Sequence, residues 1–146
     1  MNEFELRPAT RGEVKYLDIL VDGRPLAQCF AGRLGAAPDS ISPLGPLESG
    51  MQQYRREQFE RFLLERKPDL PDGRNSILVC PICGDLGCGA YSARFQRDGD
   101  TIKWTEFGYE NNYSPDLGQR ELYTHVPDLV FSWSAYEAEL RRHIGV

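Results

Sequence analysis

Tyr91-Ser92-Ala93-Arg94-Phe95-Gln96-Arg97-Asp98-Gly99-Asp100-Thr101-Ile102-Lys103-Trp104-Thr105-Glu106 decides the fold class. Apolar and polar residues alternate on both sides of Asp98-Gly99, a dipeptide suited to the two-residue turn of a β-hairpin. With the turn placed there, Phe95 faces Ile102, Ala93 faces Trp104 and Tyr91 faces Glu106. One face then carries Tyr91, Ala93, Phe95, Ile102 and Trp104, a core-like set. Glu106 breaks the pattern, because strict alternation sets its carboxylate at the edge of that face. A register shift, or a strand end before Phe107, would release it.

Working outward, Ser76 to Cys80 reads as a short buried strand. Tyr16 to Val21 is a β-prone run, followed by an Asp22-Gly23 turn and a return strand Arg24-Pro25-Leu26, which Pro25 confines to a sheet edge. Ala31 to Gly50 is a long loop rich in Gly, Pro, Ser and Ala. Met51 to Arg66 has helical spacing: Met51, Tyr54, Phe59, Phe62 and Leu63 form the apolar stripe, Arg55 and other charged residues fill the remainder, and Lys67-Pro68 closes it. A last helix follows the apolar run Leu129 to Trp133 and starts at the capping box Ser134-Ala135-Tyr136-Glu137. Trp133, Tyr136, Leu140 and Ile144 make its buried face, Arg141, Arg142 and His143 suit its dipole, and Gly145 stops it. The expected architecture is α+β, a mostly antiparallel sheet of two hairpins and further strands packed on two helices.

The chain has 146 residues, a length suited to one domain spanning 1–146. Seven Phe, seven Tyr and two Trp supply a core. No apolar run reaches the ~18–20 residues needed to span a bilayer, and Met1-Asn2-Glu3-Phe4-Glu5 lacks the basic start of a secretory signal, so a cytoplasmic location is expected. Residues 1–97 hold 13 acidic and 13 basic side chains and residues 129–146 two of each, whereas residues 98–128 hold seven acidic and two basic, the whole net −5. Phosphate backbones need clustered Lys and Arg, so nucleic acid is an unsuitable partner for this stretch. Its electrostatic complement is a protein with a basic surface. A solvated acidic loop that aids solubility would leave the same signature. Within the stretch, Glu106, Tyr109, Glu110, Asn111, Asn112, Tyr113 and Asp116 combine aromatics, amides and carboxylates in the manner of a contact surface, although Phe107, Tyr109 and Tyr113 could equally roof the core.

Cys80-Pro81-Ile82-Cys83-Gly84-Asp85-Leu86-Gly87-Cys88-Gly89 is the dense chemical signal. The two-residue spacing lets Cys80 and Cys83 converge on one tetrahedral ion, and Cys88 could add a third thiolate. A structural zinc would then draw a fourth ligand from Cys29, the best by ligand type, or from His125, His143 or Asp85. The competing readings are reduced buried cysteines and a redox pair; the latter lacks the helix that normally follows such a pair.

This block, with Trp104-Thr105-Glu106-Phe107-Gly108-Tyr109 and Phe131-Ser132-Trp133-Ser134-Ala135-Tyr136-Glu137-Ala138-Glu139-Leu140, resembles a group of small uncharacterised bacterial proteins over about Leu78 to Leu140. Some of these carry the label oxidoreductase, which implies a thiol- or cofactor-dependent activity. The chain has no Gly-x-Gly-x-x-Gly turn for a dinucleotide, and His125 and His143 are its two candidate bases. The reading that joins size, acidity and missing catalytic motifs is a non-catalytic domain that binds a basic protein, by analogy with bacterial immunity proteins. A structural zinc domain and a thiol-dependent oxidoreductase are the alternatives.

Overall fold

Strand alternation and turn chemistry build two antiparallel sheets in the computed structural model, which describes residues 1–30, 41–45, 50–70, 73–79, 90–110 and 126–144. The first sheet has the order β1 (Phe4–Arg11), β2 (Val14–Val21), β3 (Arg24–Pro25); the second is β4 (Asn75–Val79), β5 (Ala90–Asp98), β6 (Thr101–Glu110), β7 (Leu129–Ser132). A short 3₁₀ helix spans Leu26–Phe30, and the α-helices are α1 (Gln52–Phe62) and α2 (Trp133–His143). The α+β class stands as expected, with the strands divided between two sheets.

Asp22 and Gly23 both take positive φ, 54° and 81°, as a type I′ turn requires, and β3 with Pro25 is an edge strand. Strand β1 was not foreseen. Its charged residues and Pro8 hide the pattern, yet it pairs along its length with β2, from Phe4↔Val21 to Arg11↔Val14.

In the β5–β6 hairpin the turn falls on Gly99-Asp100, one residue later than expected, and Phe95 pairs with Trp104 and Arg97 with Ile102. Gly99 has φ 60° whereas Asp100 does not enter the left-handed region, the pattern of a type II′ turn with glycine first. The shift moves the pairing by two residues, so the apolar face survives intact.

Helix α1 ends four residues before Arg66. Leu64, at φ 62°, donates to Arg61 O, and Glu65 donates to Glu60 O at 2.8 Å, a Schellman stop with leucine where glycine is usual. Arg55 belongs to the buried face rather than the polar remainder: it is 7% exposed, donating to Leu44 O at 3.0 Å and His143 O at 2.9 Å. Helix α2 starts at Trp133 and is capped by Ser132, whose hydroxyl accepts from Ala135 N, rather than by Ser134. Ser132 keeps extended backbone (ψ 126°) as the last residue of β7, which makes it the geometric cap.

One apolar cluster draws on both sheets and both helices, including Leu6, Leu17, Ile19, Phe59, Phe62, Ile77, Trp104, Phe131 and Tyr136. A smaller one joins Tyr16, Ile41, Val79 and Ala90. Isolated bridges meet the outer edges of the second sheet. Ile41 exchanges two hydrogen bonds with Val79 on β4, and Asn2 donates its N–H to Val130 O on β7. Such cover protects sheet edges from pairing with other chains.

Gly45 passes directly over β2, where an added Cβ would lie 2.5 Å from Tyr16 Cα and 2.7 Å from Leu17 N. Backbone cannot yield as a side-chain tip can. Gly45→Ala is therefore expected to destabilise the fold by roughly 2–3 kcal/mol in urea unfolding.

Candidate functional site

Asp98 and Asp100 lie at one end of the second sheet, whereas the cysteine block and residues 111–125 both connect to the described strands at its other end. Val79 pairs with Ala90, and Ala90 with Glu110, so β4, β5 and β6 have adjacent ends there. The cysteine block leaves from Val79 and returns at Ala90, and the acidic stretch continues beyond Glu110. Tyr91 and Tyr109 are paired just inside this end, their rings edge to face at 5.0 Å, and Phe30 packs on Tyr91 at 4.8 Å and Phe107 at 5.8 Å. Cys80, Cys83, Asp85, Cys88, Asn111, Asn112, Tyr113, Asp116 and His125 lie outside the described residues, as does the side chain of Glu110.

Glu106 shows how β6 resolves its broken alternation. The pairing shifts between Ser92 and Arg94, so β6 carries one extra residue, and Glu106 takes φ 52° at that bulge. Its carboxylate is thereby turned outward to accept from Arg94 Nε at 2.9 Å, while Phe107 is buried against the core. The strand continues through Tyr109, which is half-buried. Arg74, fully buried, reaches into the bulge and donates to the carbonyls of Glu106 and Ser92. Sequence reasoning passed over Arg74. The available signal was a lone basic residue at the threshold of an apolar strand.

Cys29 sits on the 3₁₀ helix, half-buried against the main cluster. Burial first, then the charge of Asp22, pushes its thiol pKa up against a smaller opposing effect of Arg24. Cys29 is therefore a neutral thiol near pH 7 with little nucleophilic character.

His143, read from the sequence as suiting the helix dipole in the last turn, is 9% exposed, with Nε2 3.6 Å from Glu139 Oε2. That carboxylate ties α2 to β1 by accepting from Leu6 N at 2.9 Å, and it also accepts from Arg142. Burial alone would raise the Glu139 pKa. The hydrogen bonds from Leu6 and Arg142, with the charges of Arg142 and His143, outweigh it and hold the carboxyl below its ordinary 4.5.

Exposed ion pairs join several charged residues of the fold. Arg7 pairs with Glu5, Arg66 with Glu60, Arg141 with Glu65 and Glu137, and Arg142 with Glu139. Among the described residues of the acidic stretch, Glu106 has its Arg94, whereas Asp98, Asp100 and Asp128 are exposed and have no ion-pair partner. The described residues contain no group of three or more His, Cys, Asp or Glu side chains able to hold a metal, and no helix long and apolar enough to cross a membrane. No family model, curated protein or solved structure matches the chain.

Two measurements check these assignments. Arg74→Met removes a buried donor from two carbonyls and is expected to lower stability by about 3 kcal/mol, whereas Arg94→Gln, which loses a half-exposed ion pair, lowers it by less than about 1 kcal/mol. Because the Glu139 pKa is lowered on folding, its contribution is complete above the ordinary carboxylate range and is lost as pH falls through the folded-state pKa. Glu139→Gln should thus be less stable than the parent at pH 7, by roughly 1 kcal/mol, and the two unfolding curves should converge under acid.

Proposed function

We propose that this chain is a non-catalytic protein-binding domain that docks through residues 98–128 onto a basic surface of another protein, as an inhibitor or immunity protein does. The observation that carries this reading is the concentration of the whole net −5 in residues 98–128, whose described carboxylates include three that are exposed and unpaired. Asp98, Asp100 and Asp128 face solvent without a countercharge, in a stretch whose acidic side chains outnumber its basic ones seven to two. Clustered charge of one sign raises self-repulsion and projects a field that steers an opposite surface into contact. Tyr109, half-buried against Tyr91 at the opposite end of β6 from Asp98 and Asp100, offers a second contact point with area and a directional hydroxyl.

The test compares the parent chain with a variant carrying Asp98→Asn, Asp100→Asn, Asp128→Asn and Tyr109→Ala, both immobilised and exposed to extract of the cells that make it. A basic protein retained by the parent, released by ~0.5 M salt and not held by the variant with unchanged circular dichroism, is the expected result. Equal retention by both chains, or retention insensitive to salt, would sink the reading.

A further inference from the structure

Residues 41–45 belong to neither sheet and are nevertheless buried throughout. Ile41 donates to Val79 O at 2.9 Å and accepts from Val79 N at 2.7 Å, on the outer edge of β4. Four residues later Gly45 passes over Tyr16 and Leu17 of β2. The segment therefore crosses from the second sheet to the first, at the edge opposite the one that Asn2 joins to β7. It cannot continue as a strand on β4, because Pro43 falls at the next bonding position of an antiparallel ladder and has no N–H. Leu44 N donates to Ser42 Oγ at 3.0 Å instead, and Leu44 O accepts from Arg55 Nε at 3.0 Å. The same guanidinium donates through Nη2 to His143 O at 2.9 Å, in the last turn of α2.

We infer that residues 41–45 are a strap that opens together with the last turn of α2 as one unit, below the free energy of global unfolding, with Arg55 as the clamp between them. The strap offers the core two large apolar side chains, Ile41 and Leu44, whereas the sheets are tied by the aromatic set around Trp104, so the strap is the weaker attachment. Arg55 is 7% exposed and takes both carbonyls in one planar group. Loss of either contact leaves a buried cation one acceptor short and misplaces its donors for the other, so each end of the clamp loosens the other to the same degree. The body of α2 stays docked meanwhile, through Tyr136 and Leu140 in the core and Glu139 on Leu6 N. Opening frees the Val79 N–H and C=O, and the outer edge of β4 becomes an unpaired strand edge.

Native-state amide exchange of the full chain in low urea tests the device. In the parent, the amides of Ile41 and Val79 and those of the last turn of α2 are expected on one shallow urea isotherm, below the steeper one of Ile102 and Trp104 in the β5–β6 hairpin. Ser42→Ala, which removes the acceptor of Leu44 N and lies in the strap alone, should speed the strap and last-turn amides by the same factor, about 5- to 10-fold. In an Arg55→Met background the same substitution should speed the strap amides and leave the last turn unmoved. Last-turn amides indifferent to Ser42→Ala in the parent overturn the coupling, and a response that persists without Arg55 overturns its role as clamp. Should Arg55→Met not fold, the parent isotherms still decide: strap amides that exchange only with Ile102 and Trp104, or on an isotherm separate from the last turn, overturn the single unit.

Discussion

Trp104 is the contact on which the rest of the structure converges. Fully buried on β6, its ring stacks on Phe95 of β5 at 4.6 Å and meets Phe131 of β7, Phe62 of α1, Tyr136 of α2 and Phe4 of β1 edge-on at 5.3–6.2 Å. One side chain thus touches both sheets and both helices. Edge-to-face and offset-stacked rings each add about 0.5–1.5 kcal/mol beyond the area they bury, and they restrict the angles at which the elements meet. The first sheet, whose edge strand β1 carries Phe4, is held to the second largely through this aromatic set and through Asn2 at β7.

Two buried guanidinium groups complete what apolar packing leaves open. Arg55 joins the carbonyl of Leu44, in the segment that crosses β2, to that of His143 at the end of α2, with its cation 5.2 Å from the Phe59 ring. Arg74 holds the two carbonyls at the β6 bulge. A planar group with several fixed donors can satisfy carbonyls on separate segments at once, which a lysine cannot do with the same geometry. The bulge has a wider effect. It lets one strand bury Trp104 and Phe107 while turning the intervening Glu106 to solvent, and so delivers Tyr109 to the end of the sheet opposite the β5–β6 turn.

The described part of the acidic stretch runs along the second sheet: Asp98 and Asp100 stand at the β5–β6 turn, and the aromatic pair Tyr91 and Tyr109 lies near the opposite end, where Val79, Ala90 and Glu110 adjoin. A basic partner would therefore meet charge at the turn end of the sheet.

Most of the secondary structure was legible from local pattern. The β5–β6 hairpin, the Asp22-Gly23 turn, the strand before the cysteines and both helices follow from alternation, helical spacing and turn residues, each a local preference. Hidden were features whose cause lies far along the chain. β1 forms because β2 offers it a partner, and α1 stops early where Leu64 accepts a left-handed conformation that its own sequence disfavours. Arg55 changes from surface to interior because its partners lie 11 and 88 residues away. For the candidate site, the sequence by itself determined the thiol spacing and the concentration of negative charge, since both are properties of adjacent residues. Only the tertiary structure decided that the ends of β4, β5 and β6 adjoin, that Glu106 points outward and that Cys29 packs half-buried against the core. Those outcomes depend on strand register and on hydrogen bonds between distant segments, which no local window of sequence contains.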